Sequence, residues 1–298
     1  MILGKFSEDN YINYCLYLAL SNTGIKVVND SQYERQYKQQ VTDFFNKRTN
    51  YDDDFRFRLA LALVDLVPLQ KGQRILDIAT GTGIVAISAA ESVGNQGKVV
   101  GVDISSTMLN QARVKIEKAG LQNIELIEAD ADYIDFDNES FDVIFCSSAF
   151  VWLSDIPNAL QKWYRFLKKG GTLAFSCFSE TSFMTPIIIQ ACKAACGISV
   201  PNINAPLGTP EKCRDLLQKT GFQRISIKTQ QFGSYISLED AKSWNGDYSH
   251  PRSNPLTQLS QLELDKCQAE YHLAVDNLAT DKGIWNEKKT YFVVAEKD

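Results

Sequence analysis

The chain has 298 residues, a net charge of −5 and a hydrophobic content of 44%, which are values of an ordinary globular protein with a sizeable core. The acidic balance argues against a nucleic-acid partner, because such proteins present a basic surface. No apolar run approaches the roughly 20 residues that span a membrane, and the N-terminus lacks a secretory signal pattern. We therefore expect a cytoplasmic protein without a membrane span.

The cysteines are seven in number and scattered along the chain. Cys192 and Cys196 are one helical turn apart, but no histidine or second cysteine pair supplies the other ligands of a zinc site. We expect buried free thiols and no bound metal.

Residues 1–70 have the pattern of helices and form the first predicted segment of the chain. Tyr11, Tyr14 and Tyr17 repeat at helical spacing, and Pro68 and Gly72 end the helical pattern. We expect a lid over a binding site. Two alternatives remain, since the tyrosines could pack the helix on the rest of the fold, or dock on a second subunit and form a homo-oligomer.

A short apolar strand leads into a glycine turn and then a helix, in the sequence RILDIATGTGIVA at 74–86. Gly81 and Gly83 let the backbone approach a ligand closely, and the following helix presents its free N–H groups to the same crevice. The motif predicts a site for a nucleotide-like cofactor, although a plain structural turn has the same pattern.

Two carboxylates accompany this turn. Asp77 comes four residues before Gly81, where it suits a cationic amino group better than a pyrophosphate. Asp103 ends the next apolar run, about 20 residues past the glycines, where an acid accepts ribose hydroxyls. Alternatively, each aspartate could cap the helix that follows it.

Strands and helices alternate from residue 73 onwards, which predicts an α/β fold with a parallel sheet and helices on both faces. We assign residues 71–298 to this domain and read its insertion at 234–288 as a cap with an amphipathic helix near 258–280. Strands are predicted near 73–78, 98–103, 123–128, 141–147, 171–177, 222–232 and 291–295, and helices near 83–93, 105–119, 155–168, 183–196 and 210–220.

Five motifs in order resemble the class I S-adenosylmethionine-dependent methyltransferases, and most closely the small-molecule enzymes of the ubiquinone and menaquinone biosynthesis group. The resemblance runs from about Phe44 to the C-terminus and implies a Rossmann-like seven-stranded sheet, whose last strand is antiparallel and lies between strands five and six. The motifs are DIATGTG at 77–83, VDISSTML at 102–109, EADAD at 128–132, FDNESFDVI at 136–144 and LKKGGTLAF at 167–175.

The resemblance also implies S-adenosyl-L-methionine as the cofactor and a set of residues that bind it. Asp77 and the glycine turn would hold the amino-acid part, Asp103 the ribose, and Asp130 the adenine amino group. Met108 and Asp130 have alternatives as a core residue and a solvated acid. The full set is Tyr51, Asp77, Ala79, Gly81, Gly83, Asp103, Ile104, Met108, Asp130, Ala131 and Ser147.

The acceptor is expected to be a small, largely apolar or aromatic metabolite that is methylated at O, N or C. Its predicted contacts are Phe150, Trp152, Trp244 and Tyr248, although aromatic residues also fill cores. Many relatives have His-Trp where this chain has Val151-Trp152. His250 is therefore the one candidate general base, with a surface role as its alternative.

Two other functions remain open at this stage. A nicotinamide-dependent, NAD(P)-binding oxidoreductase would share the glycine turn, but an acid at Asp77 disagrees with it. A non-catalytic cofactor-binding protein of the same fold would keep every motif.

Overall fold

The computed structural model describes residues 31–246 and 254–298, with side chains from residue 34 onwards. Tyr11, Tyr14, Tyr17, Tyr248 and His250 lie outside these residues. The strands are β1 (Arg74–Ile78), β2 (Lys98–Asp103), β3 (Ile124–Glu128), β4 (Phe141–Ser147), β5 (Leu167–Phe178), β6 (Gln223–Gln231), β7 (Ser234–Ile236), β8 (Ile284–Asn286) and β9 (Lys289–Glu296). The helices are α1 (Ser31–Asn46), α2 (Asp54–Val64), α3 (Ile84–Val93), α4 (Ser106–Lys118), α5 (Ile156–Phe166), α6 (Thr185–Cys196), α7 (Pro210–Thr220), α8 (Leu238–Ala241) and α9 (Gln261–Asn277).

Seven of the described strands form one sheet in the order β3-β2-β1-β4-β5-β9-β6. Strand β9 is antiparallel to both β5 and β6, and the neighbours from β3 to β5 are parallel. The predicted topology is therefore confirmed. The chain order reverses between β1 and β4, and ligands of open α/β sheets bind beyond the strand ends at such a point.

The sheet buries both faces, which is why its central strands read as continuous apolar runs. Alternate residues of β1 face opposite sides: Ile75 packs towards α2 and α3, and Leu76 packs with Trp163 of α5. All three side chains are fully buried. This packing on both faces fixes the strand register, because a slip by one residue would exchange the two sets of side chains.

Side-chain caps begin several helices where the sequence provides them. Ser105 accepts a hydrogen bond from the Met108 N–H at 3.2 Å and starts α4. Ser260 and Glu263 form a reciprocal capping box at the start of α9. The local chemistry therefore decides where these helices begin.

The segment 234–288 folds against α6, as far as it is described. Strand β7 pairs with β8 in a two-stranded ribbon that the sequence did not predict. Helix α9 packs on α6, and the Tyr271 hydroxyl in α9 donates to the Ala241 carbonyl at 2.6 Å. In the described chain, none of this segment reaches the cavity between the strand ends.

Within residues 31–246 and 254–298, no helix is long and apolar enough to cross a membrane. The same residues contain no cluster of histidine, cysteine, aspartate or glutamate side chains that could hold a metal ion.

Gly101 of β2 pairs with Asp77 of β1, and its lack of a side chain makes room for Thr80. A Cβ atom there would lie 2.9 Å from the Leu126 Cδ2 and 3.0 Å from the Thr80 Oγ1. We expect Gly101→Ala to lower the free energy of unfolding in urea by about 1–3 kcal/mol through overpacking, and to weaken cofactor binding because Thr80 is displaced. Gly120→Ala, whose Cβ would face open space but whose φ of +67° strains an alanine, should lower stability and leave cofactor binding unchanged. Unaltered stability and binding in Gly101→Ala would contradict this.

Candidate active site

A cavity of about 560 Å³ lies at the carboxyl ends of the central strands. One wall consists of the strand ends and the glycine turn, with Asp77, Gly81 and Asp103 among its residues. The opposite wall consists of α1, the loop that follows it and the first turns of α2. The site therefore combines the Rossmann-like domain with the described part of the N-terminal segment.

Asp77 is a buried carboxylate at the end of β1 and is only 1% exposed. The Thr80 hydroxyl donates to its Oδ2 at 2.5 Å. Burial, and to a smaller extent the charge of Asp103, raise the pKa of Asp77 to about 7 although the Thr80 hydrogen bond lowers it. A buried carboxylate that lines a cavity is stabilised by a cationic ligand group, so the residue fits the amino group of an amino-acid ligand.

Asp103 at the end of β2 organises the glycine turn. Its Oδ2 accepts the Gly81 N–H at 2.8 Å, and its Oδ1 accepts the Ser105 N–H at 2.9 Å. Burial raises its pKa, and these backbone N–H groups lower it. Ser105 itself provides the cap of α4, so the alternative in which Asp103 serves as that cap is not realised.

The two glycines of the turn have different tasks. Gly81 adopts a φ of +56° in open space and lines the cavity, which suits close approach of a ligand. Gly83 does not line the cavity. It starts α3 with a φ of +81°, and a Cβ there would lie 3.1 Å from the Ala112 Cβ of α4. The structure therefore gives Gly83 a packing role between two helices, and its contact with the cofactor stays a prediction.

The predicted adenine side contains an ion pair that the sequence analysis missed. Lys38 of α1 is buried, and its Nζ lies 3.0 Å from the Asp130 Oδ1 and also pairs with Asp132. The sequence places Lys38 near Tyr37 and Val41, and the structure shows that both of these residues are buried. A lysine on a buried helix face indicates an ion pair, because a lysine is rarely buried unless it is paired. The other predicted residues that line the cavity are Tyr51, Ala79, Ile104, Met108, Ala131 and Ser147.

The loop after α1 is tied to the glycine turn by Asp52. The Thr82 hydroxyl donates to its Oδ1 at 2.5 Å, and the Lys115 Nζ of α4 donates to its Oδ2 at 2.6 Å. Tyr51 is thereby held beside the turn. The sequence analysis did not identify Asp52, since nothing in the local pattern shows which carboxylate meets a partner 30 residues further along the chain.

The aromatic residues divide between the cavity and the core. Trp152 lines the cavity, where its ring contacts Phe44 and Phe45 at centroid distances of 5.4 and 5.1 Å. Phe150 does not line it: its ring is buried 4.5 Å from that of Phe175. Trp244 packs 5.0 Å from the ring of Tyr271, away from the cavity.

Phe150 and Trp244 do not line the cavity formed by the described residues. Large rings fill cores as readily as they line cavities, which accounts for where the two rings lie. Their contact with the acceptor stays a prediction. Cavity residues that the sequence analysis missed include Phe178, Phe183, Thr185 and Asn204.

Comparison with known proteins also indicates a methyltransferase. The family described as "Methyltransferase domain" matches residues 75–171. An aklanonic acid methyltransferase of Streptomyces sp. (strain C5) is 35% identical over 170 residues, which cover 53% of this chain and 77% of that protein. A demethylmenaquinone methyltransferase of Listeria welshimeri is 38% identical over 109 residues, or 37% of this chain and 46% of that one. The chain thus spans about half the length of this second relative.

Solved structures share the fold. Phosphoethanolamine N-methyltransferase 2 of Haemonchus contortus, in complex with S-adenosylhomocysteine, gives a TM-score of 0.53 at 20% identity and covers 86% of this chain and 60% of that one. The [4+2]-cyclase SpnF gives 0.52 at 18% identity and covers 92% and 98%.

The fold and the site define a Rossmann-like domain that binds S-adenosylmethionine. The chain belongs to the class I S-adenosylmethionine-dependent methyltransferases, of the type that includes the ubiquinone and menaquinone biosynthesis enzymes. It is a methyltransferase, and the oxidoreductase alternative is set aside.

The raised pKa of Asp77 predicts a pH-dependent cost in the cofactor-free protein. The folded-state pKa of about 7 exceeds the ordinary value of 3.8, so the folded state bears the full cost of the buried charge above pH 7. Asp77→Asn should raise the free energy of unfolding at pH 8 by up to about 4 kcal/mol. The gain should fall to less than half of that at pH 5, where the folded carboxyl is largely protonated.

Urea unfolding at both pH values checks this gain, with the exposed Asp135→Asn as the control. Equal effects of Asp77→Asn at the two pH values would show that the carboxyl is not desolvated. The same variant should bind the cofactor more weakly, because the counter-charge for its amino group is lost.

The placement of the two rings predicts opposite effects of two truncations. Phe150→Ala should lower the free energy of unfolding by about 3–5 kcal/mol, as expected for a buried phenylalanine. Trp152→Ala should cost less stability and instead reduce methyl transfer to the acceptor. Urea unfolding and initial rates of methyl transfer, measured on both variants, distinguish a core residue from a residue of the cavity wall. A Phe150→Ala variant that is stable but inactive would place Phe150 in the wall instead of the core.

Proposed function

We propose that the enzyme methylates a small, largely apolar or aromatic metabolite in the cavity between the strand ends and α1. The observation that carries the proposal is the aromatic wall of that cavity. Phe44, Phe45 and Trp152 form one contacting group, and Phe178 and Phe183 form another with ring centroids 4.9 Å apart. Sites lined by apolar rings with few polar groups suit flat organic ligands.

The residues at the strand ends would hold the cofactor by complementary charge and hydrogen bonding. Asp77 would pair with its amino group, Asp103 would accept from its ribose hydroxyls, and Asp130 would accept from its adenine amino group. When bound, S-adenosylmethionine supplies an electrophilic methyl group on a sulfonium. The remaining task of this chain is to align the acceptor atom with the methyl group, and such alignment contributes up to about 7–11 kcal/mol to catalysis.

The relatives' names support an acceptor of this kind, since they name aklanonic acid and demethylmenaquinone. Whether a proton must be removed depends on the acceptor. His250 stays a prediction as general base. His272 contacts the Lys242 carbonyl at 3.1 Å in the segment that packs on α6 and is not assigned a catalytic role.

We also propose that α1 and its following loop act as the lid. The Tyr37 hydroxyl donates to the Trp152 carbonyl at 3.1 Å, and Lys38 reaches the same carbonyl. These contacts connect α1 to the acceptor side of the cavity. A homo-oligomer through the N-terminal helix stays a prediction. The six described cysteines are free thiols, which suits the reducing cytoplasm.

Calorimetry tests both the cofactor and the role of Asp103. The wild-type protein should bind S-adenosylmethionine and S-adenosylhomocysteine in preference to NAD. Asp103→Ala should weaken this binding by about 2–4 kcal/mol, because two charge-assisted hydrogen bonds are lost. Glu128→Ala, an exposed acid at the end of the adjacent strand β3, is the matched control and should bind normally.

Tight binding of NAD without a response to either sulfur nucleotide would overturn the assignment. A radiolabelled methyl-transfer screen over aromatic and quinone-like acceptors then tests the acceptor class. Cofactor binding without transfer to any of them would favour the non-catalytic alternative.

A further inference from the structure

Arg48 differs from the other cations of the cavity wall. Three cationic side chains line the cavity in the described chain, and two have carboxylate partners: Lys38 pairs with Asp130, and Arg56 pairs with Asp53. Arg48 forms no ion pair with any described carboxylate. A positive charge on the cavity wall is therefore left without a counter-charge from the part of the chain that the structure describes.

The surroundings of Arg48 hold its guanidinium in place through ring faces. Its central carbon lies 4.1 Å from the ring centroid of Phe44, 5.7 Å from that of Phe45 and 5.8 Å from that of Tyr51. Its backbone is fixed as well, because the Gln111 side chain donates to its carbonyl at 2.9 Å. Rings that cover the faces of a guanidinium leave its planar N–H edge for a bidentate acceptor.

The guanidinium of Arg48 is also partly withdrawn from water. Burial lowers the pKa of Arg48; Tyr51 raises it, and the nearby charge of Arg56 lowers it. An arginine nevertheless keeps its proton at neutral pH. Among the described residues, the wall thus presents a partly desolvated cation that no carboxylate neutralises, and an incoming anion can do so.

We propose that Arg48 binds an anionic oxygen group of the acceptor, so that the acceptor is an aromatic organic acid, with a carboxylate as the recognised group. This rests on the proposed function. The cofactor also has a carboxylate, and this carboxylate is the alternative ligand for Arg48. The acceptor is favoured because Phe44, on which Arg48 stacks most closely, also contacts Trp152 on the acceptor side.

Matched pairs of probes test this on protein saturated with S-adenosylhomocysteine. The pairs are benzoate, 1-hydroxy-2-naphthoate and anthracene-2-carboxylate, each compared by calorimetry with its own methyl ester. We expect at least one acid to bind about tenfold or more tightly than its ester, as a charge-assisted hydrogen bond implies. Arg48→Gln should abolish this preference, and Arg48→Lys should retain part of it.

Arg56→Gln removes a cation of the same wall that is already paired, and should keep the preference for the acid. The affinity for S-adenosylhomocysteine should change less than about twofold in Arg48→Gln, since the charge-assisted contacts at Asp77 and Asp103 remain. Retained affinity also shows that the variant is folded.

Three results would overturn the proposal. One is the absence of any acid preference in the wild-type protein. Another is a preference that survives in Arg48→Gln, which would leave Arg48 a stacking residue. The third is a tenfold or greater loss of S-adenosylhomocysteine binding in Arg48→Gln, which would assign Arg48 to the cofactor's carboxylate. A wild-type protein that binds no sulfur nucleotide would instead contradict the proposed function itself.

Discussion

Two buried carboxylates at the ends of neighbouring parallel strands are the constraint around which this site is built. Asp77 and Asp103 are both withdrawn from water, and the charge of Asp103 adds to the raised pKa of Asp77. The Thr80 hydroxyl and the N–H groups of Gly81 and Ser105 offset part of that cost. The remainder favours a ligand that brings a positive charge and hydroxyl donors, as the proposed roles of the two carboxylates require.

Helix α1 and the loop that follows it are held to this centre by charge as well as by apolar packing. Lys38 pairs with Asp130 and Asp132, and Asp52 links the Thr82 hydroxyl to Lys115. Buried or half-buried ion pairs with hydrogen bonds fix geometry more than they add stability.

The residues of the site differed in how well the sequence predicted them. Asp77, Gly81 and Asp103 follow from a strand, a turn and a second strand, all local patterns. Lys38 and Arg48 were missed, because their importance depends on which carboxylates stand across the cavity. The sequence did not show which ring beside the cavity is buried, since Phe150 of a three-residue turn faces the core and Trp152 of the same turn lines the cavity.

The sequence by itself determined the alternation of strands and helices, the glycine turn and the acids that end the strands. Each of these rests on interactions between residues close in the chain or on the period of apolar side chains. Only the tertiary structure decided which cations are paired, which rings line the cavity, and that the described part of 234–288 packs on α6. Those outcomes depend on contacts between residues that are far apart in the chain, and a local sequence pattern does not predict which of these residues come together.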